Sequence, residues 1–113
     1  MEDRIILSVS NSYEQKYYFN DDFETIPQNI KDELKALSVL FTEDVGGIFI
    51  IGFNEEGQLF FEVKANEEDI LYDEIGSHLK IKQIQNERKE LWEALETFFK
   101  VFFLGEEVEE EEI

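Results

Sequence analysis

The chain has 113 residues, of which 42% are hydrophobic and 14% aromatic, and its formal net charge is −18. This length and aromatic content suit one folded domain and exclude the composition of a disordered chain. The excess of acids argues against direct binding to nucleic acid or anionic lipid, because both need a basic surface, and the absence of cysteine favours a reducing compartment.

The first predicted element is a β-strand, and the second is ambiguous. Ile5 to Val9 is short and rich in β-branched residues, which is typical of a strand. Tyr17 to Phe19 suits a second strand that pairs with the first. However, Asn11 with Glu14 three residues later resembles a capping box, which would begin a short helix. The segment from Tyr13 to Asn20 is therefore predicted as a strand, with a short helix as the alternative.

A helix is predicted after the polar connection at residues 21–24. Thr25 can cap its N-terminus, Gln28 can return the bond, and Pro27 falls in the first turn, where its missing N–H costs nothing. The pair Gly46-Gly47 ends the helix, because glycine adopts the left-handed cap conformation at little cost. Apolar residues at helical spacing predict one buried face: Ile30, Leu34, Leu37 and Phe41.

A β-hairpin is predicted after the glycine pair. Residues 48–53 are apolar on both alternating faces apart from Gly52, which is typical of a central strand covered on both sides. The turn lies at Glu55-Glu56-Gly57, where Gly57 can take the positive φ of a bulged hairpin. Residues 59–63 form the second strand. The side chains that we expect to be buried are Phe49, Ile51, Phe53, Leu59, Phe61 and Val63.

Two further helices are predicted in the C-terminal half. Asn66 can cap a helix that begins at Glu67, and a break is expected between residues 76 and 82, because glycine at position 76 weakens the helix. The last helix spans about residues 83–104. The apolar row of the first of these helices contains Leu71, Ile75 and Leu79.

The order of elements is β-β-α-β-β-α-α. It predicts an α+β domain with about four short antiparallel strands and with helices that cover the sheet. In this interpretation residues 1–105 form a single acidic domain, and residues 106–113, which include six glutamates, form a disordered acidic tail. Without those glutamates the chain still has twelve more acids than bases, so the domain is acidic in its own right.

The last predicted helix is apolar around most of its circumference near its end. One row is expected to face the sheet, namely Leu91, Leu95, Phe98 and Phe102. Beside it lies a second row: Trp92, Phe99 and Phe103. A helix of this kind is either buried on nearly all sides or exposes an interaction patch. We predict that the second row contacts a protein partner or a second copy, most simply in a two-fold homodimer. The alternative is that another part of the chain covers it.

No catalytic, metal-binding or cofactor-binding residue stands out in the sequence. The one histidine, His78, follows Glu74 by four residues and can share a helix face with it, but a metal site needs three or four ligands. A surface ion pair is the simpler interpretation. The acidic clusters at residues 21–24 and 67–69 precede predicted helices and lack the spacing of a calcium loop. We therefore expect no metal and no cofactor, and the sequence favours a protein without enzymatic activity.

Three stretches of the chain carry a family resemblance. They are Tyr13–Asn20 (YEQKYYFN), Leu40–Ile48 (LFTEDVGGI) and Leu71–Gly76 (LYDEIG). Together they resemble a family of small acidic bacterial proteins of unknown function, over about residues 4 to 105. The resemblance implies a bacterial cytoplasmic origin. It implies no activity, cofactor or site residue, because the family has none assigned.

The sequence supports three functional hypotheses of different classes. The first is a non-catalytic protein-interaction or regulatory module in the cytoplasm. The second is a small-ligand-binding domain or enzyme with a pocket between sheet and helices, which a cavity with convergent polar groups would favour. The third is an acidic mimic of nucleic acid, which would need carboxylates at phosphate-like spacing on one face. No membrane association is expected, since no run approaches the roughly 20 apolar residues of a membrane span.

Overall fold

The computed structural model describes residues 4–105, and the predicted tail at residues 106–113 lies outside them. Within that range, four strands and three α-helices follow the order β-β-α-β-β-α-α, so the predicted α+β fold is confirmed. The strands are β1 (Ile5–Asn11), β2 (Lys16–Phe19), β3 (Ile48–Phe53) and β4 (Leu59–Lys64). The helices are α1 (Gln28–Val45), α2 (Glu74–Glu87) and α3 (Lys89–Phe102), and a 3-10 turn spans Asp21–Phe23.

The strands form one antiparallel sheet in the order β2-β1-β3-β4. The hairpins β1–β2 and β3–β4 pair locally, and β1 joins them by pairing with β3. An irregularity in this pairing between Ile6 and Ser8 leaves Leu7 fully buried. Because side chains alternate along a strand, the sheet has two distinct faces. We call the face toward the helices the inner face and the opposite one the outer face.

The helices lie over the inner face. The Phe41 ring of α1 stacks on Phe49 with centroids 4.0 Å apart, and the Phe99 ring of α3 stacks on Phe53 at 4.3 Å. α2 packs mainly on the other two helices. The buried core is one cluster that consists of Leu7, Phe23, Ile26, Leu34, Phe41, Val45, Phe49, Ile51, Phe53, Leu91, Trp92, Leu95 and Phe99.

The predicted β3–β4 hairpin is confirmed. Phe49, Ile51 and Phe53 are fully buried, and the inward residues of β4 pack partly buried against the core. Gly57 has a φ of 84°, as the bulged turn requires. β3 is central, as predicted, but the expected helix cover on both sides is wrong, because the helices of residues 4–105 pack on the inner face alone.

The connection between β1 and β2 is a turn, so the strand interpretation of this segment is confirmed. The Asn11 side-chain oxygen accepts from the backbone N–H groups of Tyr13 and Glu14 at 2.9 Å and 3.2 Å. These are the contacts that resemble a capping box in the sequence, but the chain turns back at Gln15, which has a φ of 55°. The Tyr13 hydroxyl donates to Asp69 and thereby ties this turn to the loop before α2.

Helix α1 starts and stops near the predicted positions. It begins directly after Pro27, and no side chain caps it, so the predicted capping role of Thr25 is wrong. The Gln28 side chain donates to Asp32 within the helix instead of returning a bond. Gly46, with a φ of 85°, ends the helix as predicted, and its N–H donates to the Thr42 carbonyl oxygen at 2.8 Å.

The two C-terminal helices begin and break later than predicted. Residues 65–72 form turns, and α2 starts at Glu74, where the Asp73 carboxylate accepts from the Gly76 N–H at 2.8 Å. Asp73 therefore replaces Asn66 as the N-cap. The break lies at Arg88 instead of between residues 76 and 82.

Candidate interaction surfaces

The structure places most of the predicted contact row of α3 inside the molecule. Trp92 is 7% exposed and Phe99 1%, whereas Phe103, just beyond the helix, is 38% exposed. The Phe99 ring stacks on Phe53 and on Phe103, and the Trp92 indole N–H donates to the Ile84 carbonyl oxygen at 2.9 Å. The premise that this row is exposed is therefore wrong for Trp92 and Phe99, and self-association stays a prediction.

The row of α3 that was expected to face the sheet is divided. Leu91 and Leu95 are buried, but Phe102 is 68% exposed, and its ring packs on Phe98 with centroids 4.6 Å apart. The helix carries apolar residues on adjacent sides, so its sequence does not fix its rotation. The strands fix it, because the inner face presents aromatic rings that pack with Trp92 and its neighbours.

The outer face of the sheet is apolar, and no helix of residues 4–105 packs on it. Tyr18 stands 54% exposed there, whereas Ile50 at the centre is only 9% exposed, because side chains of adjacent strands flank it. A solvated face of an antiparallel sheet normally carries polar side chains. We call this surface the open face, and its apolar members are Ile6, Val9, Tyr18, Ile48, Ile50 and Phe60.

The rim of the open face is basic, in contrast to the acidic molecule. Lys16 and Lys64 occupy outward positions at one end, and Arg4 lies at the other, with its guanidinium 3.9 Å from the centroid of the Phe60 ring. Glu62 is the one acid at an outward position of the four strands, and it pairs with Arg4. The surface therefore combines an apolar centre with lysines that form no ion pair among residues 4–105, in a chain where acids outnumber bases 28 to 10.

A second apolar surface lies on α2 and the turn before it. Leu71, Ile75 and Leu79, predicted as the apolar row of this helix, are 88%, 75% and 64% exposed. Ser77, which lies on the opposite side of the helix, is 2% exposed. The periodicity identified the row, but the helix turns it toward solvent. We call this surface the exposed row, and it also includes Ile70.

A polar cleft of about 640 Å³ lies between α1 and the turn end of the β1–β2 hairpin. Its lining combines hydroxyl, amide and charged groups: Ser10, Asn11, Ser12, Gln15, Lys16, Tyr17, Lys35, Val39, Thr42 and Glu43. The Ser10 and Thr42 hydroxyls are 2.8 Å apart at its buried end. These groups converge from three elements, which is typical of a small-molecule site.

Three hydroxyl oxygens are buried without a hydrogen-bond partner among residues 4–105, namely Ser8 Oγ, Tyr17 Oη and Ser38 Oγ, and of these residues Tyr17 lines the cleft. Burial raises the pKa of Tyr17, and the nearby Ser8 hydroxyl opposes part of that shift, although the two groups do not meet hydrogen-bond geometry. The Tyr17 phenol is therefore neutral at pH 7 and able to donate. An unpaired buried hydroxyl is costly unless water or a ligand bonds to it.

The other residues considered for chemistry do not form a site in residues 4–105. Glu74 and His78 are both exposed on α2, and they make no ion pair with each other within the described range. No group of three or more histidine, aspartate or glutamate side chains in that range could hold a metal ion. The described helices are also too short or too polar to cross a membrane.

Sequence reasoning missed the open face and the polar cleft. Alternation marks both faces of β3 as apolar, but it does not show which face the helices cover. The cleft depends on the distance between α1 and the first hairpin, which no local pattern reports. The one local signal was Tyr17, a tyrosine at an inward position of an edge strand.

A model of a protein family described as a family of unknown function, DUF6145, matches residues 4–107, and the chain belongs to that family. The predicted resemblance to a family of unknown function is thereby confirmed. No curated protein and no solved structure matches the chain. The family assignment carries no activity, so function rests on the surfaces described above.

Proposed function

We propose that this member of the family is a non-catalytic protein-interaction module of the cytoplasm, which binds a protein partner through the open face. The observation that carries the proposal is the apolar centre of the outer sheet face, without cover from residues 4–105. The apolar residues there lie outside the buried core cluster. Their burial by a partner would gain about 25 cal/mol for each Å² removed from water.

The charge on the open face specifies the chemistry of the partner. Lys16 and Lys64 flank the apolar centre, and Arg4 extends it over Phe60. A partner that presents apolar side chains flanked by carboxylates satisfies both features. The overall charge of −18 repels such a partner at long range, but screening beyond about 8–10 Å at physiological salt leaves the local contacts in control.

Photo-crosslinking from the open face tests this proposal. A benzophenone amino acid at position 18, where the side chain is 54% exposed on the edge strand of the open face, should form a specific adduct with one protein in the native host. The same probe at Asn29, an exposed position on α1, is the matched control and should not form that adduct. Mass spectrometry identifies the captured protein, which is then purified for titration.

Titration of the purified partner separates a real interface from a chance contact. Tyr18→Asp and Lys64→Glu should each raise the Kd about tenfold or more, whereas Asn29→Asp should leave it unchanged. The proposal would be contradicted by an adduct common to both probe positions, or by a Kd that Tyr18→Asp leaves unchanged.

A second candidate function is the binding of a small polar molecule with an anionic group in the polar cleft. The observation that favours it is the buried Tyr17 hydroxyl, which lacks a partner among the described residues, on a side chain whose ring centroid lies 6.0 Å from the Lys35 ammonium. A carboxylate or phosphate group in the cleft could accept from both. Glu43, which also lines the cleft, limits the negative charge of a ligand that the site tolerates.

Nuclear magnetic resonance titration with acetate and with inorganic phosphate tests this second candidate. The expected result is saturable shifts of the backbone amides of Ser10, Ser12 and Thr42, which are lost in Lys35→Ala. Shifts that rise linearly with salt, or that persist unchanged in Lys35→Ala, would refute ligand binding in the cleft.

A further inference from the structure

The exposed row is an apolar helix face that the molecule does not use for its own core. Ile70 and Leu71 are 91% and 88% exposed, and Ile75 and Leu79 on α2 are 75% and 64% exposed. Ile75 and Leu79 form a strip on α2, because residues four apart on a helix lie one above the other, and Ile70 and Leu71 lie in the turn that precedes this helix. Monomeric proteins rarely leave such strips in water unless they serve an interface.

The inward side of α2 explains why this strip points outward. Ser77 is buried, and Ile81 and Ile84 pack against the core. Positions two apart on a helix differ by about 200°, so Ile75 lies opposite Ser77, and Leu79 lies opposite Ile81. Rotation of α2 to bury the exposed row would therefore expose both isoleucines. The strip is a fixed feature of the packing.

Charge along the exposed row has a polarity. Its N-terminal end is flanked by acids, among them Glu67, Glu68 and Glu74, and its C-terminal end by Lys80 and Lys82. Lys80 pairs with Asp44 of α1, and Lys82 is exposed without a partner in residues 4–105. A surface with acids at one end and bases at the other is complementary to itself when reversed.

We propose that the exposed row binds the same row of a second copy of this chain in an antiparallel two-fold dimer. A two-fold axis at the level of Ser77 places Ile75 opposite Leu79 of the partner subunit. At a rise of about 1.5 Å per residue, Glu74 then lies within about 3 Å, along the axis, of Lys82 of the partner subunit. Both residues lie toward the same flank, so two such pairs border the apolar centre.

The charge pattern favours an antiparallel second copy of the chain over a parallel dimer and over a foreign partner. A parallel arrangement would bring the acidic ends together and the basic ends together. A foreign partner would need its own matching polarity, whereas a second copy supplies it by symmetry. The overall charge opposes the dimer at low salt, so association should tighten between low and moderate ionic strength as repulsion is screened.

Two charge-reversal variants test the proposal in the full chain. Glu74→Lys and Lys82→Glu each convert both cross-pairs into like-charge contacts, so each variant alone should dimerise about tenfold more weakly than the parent in sedimentation equilibrium. An equimolar mixture of the two restores both pairs of opposite charge and should recover the parent Kd as a heterodimer. Thermal melting of each variant checks that it is folded.

Three outcomes would overturn the proposal. They are a parent chain that stays monomeric up to about millimolar concentration, single variants that dimerise like the parent, and a mixture that fails to recover. Tyr18→Asp on the open face is the control, and it should leave the dimer intact. If Tyr18→Asp abolishes association instead, the second copy binds the open face, and the inference for α2 fails independently of the proposed function.

Discussion

The two faces of the sheet are built from alternate residues of the same strands, yet only one of them lies beneath the helices. On β3 the inward residues Phe49, Ile51 and Phe53 have no exposed surface, and the outward residues Ile48 and Ile50 have apolar side chains without a helix above them. Both faces have the composition of a core. The difference teaches that a strand which is apolar on both sides can meet two requirements at once, one for folding and one for contact with another molecule.

The largest expected effect compares one residue type on the two faces of one strand. Ile51→Ala opens a cavity in the buried core and should lower the free energy of unfolding by about 2–5 kcal/mol, whereas Ile48→Ala on the open face should cost about 1 kcal/mol or less. Urea denaturation of both variants measures the contrast. Equal losses would show that the outer face is covered in solution.

Gly52 is a position on the open face where the neighbouring strands leave no room for a side chain. A Cβ there would lie 2.6 Å from the Ile5 carbonyl oxygen and 2.7 Å from the Phe60 ring. The ring can rotate away, but the backbone oxygen belongs to the neighbouring strand. Gly52→Ala should therefore cost about 2 kcal/mol in urea denaturation, as overpacking does elsewhere. A neutral result would mean that β1 can shift away from β3.

In the polar cleft we expect a smaller change in the free energy of unfolding, and this change should be a gain in stability. Tyr17→Phe removes a buried hydroxyl that has no partner among residues 4–105, so it should raise the free energy of unfolding by about 1 kcal/mol. Tyr18→Phe, on the outward side of the same strand, is the matched control and should be neutral. A loss of stability in Tyr17→Phe would show that water or a ligand bonds to the hydroxyl.

The same tyrosine contributes to the pH dependence of stability. Because burial raises the pKa of Tyr17 in the folded state, the unfolded chain loses this proton first. Stability from this group is complete below the unfolded pKa and falls as pH rises through the folded pKa. Tyr17→Phe should therefore reduce the fall in the free energy of unfolding with rising pH in the alkaline range. It should not abolish the slope, since desolvation and the hydrogen bond to Asp69 raise the pKa of Tyr13 as well.

The smallest expected effect is that of removing residues 106–113. If this acidic segment does not cover the open face, its deletion should leave the melting temperature unchanged or raise it slightly, because six glutamates that repel the domain are removed. A fall of more than about 4 °C, which corresponds to roughly 1 kcal/mol in a domain of this size, would show that the segment is docked. Differential scanning calorimetry decides between the two results.

The elements that the sequence predicted well are those with local signals. The β3–β4 hairpin follows from alternation and from Gly57, whose positive φ the turn requires. The end of α1 follows from Gly46 for the same reason. In both cases one residue type satisfies a backbone conformation that others adopt only at a cost, so the position of the turn does not depend on the rest of the fold.

The rotations of α2 and α3 could not be predicted, because they depend on tertiary contacts. Both helices carry apolar residues on more than one side, and periodicity does not show which side meets the sheet. Aromatic rings of the inner face packed Trp92 and Phe99 inward and left Phe102 exposed. For α2, packing of Ile81 and Ile84 against the core turned the predicted row outward. The interaction surfaces were missed for the same reason.

The strand order has a consequence for how the chain folds. Each hairpin closes a short loop, so β1–β2 and β3–β4 can form early and independently. The seam between them, in which Ile5 pairs with Phe53, must wait until the intervening chain, including all of α1, is in place. Contacts distant in sequence form slowly, because the entropy of loop closure is lost before they stabilise the chain. Mutations in either turn should therefore slow refolding, because those contacts are already formed in the transition state, whereas mutations along the β1–β3 seam, whose contacts form last, should mainly raise the rate of unfolding.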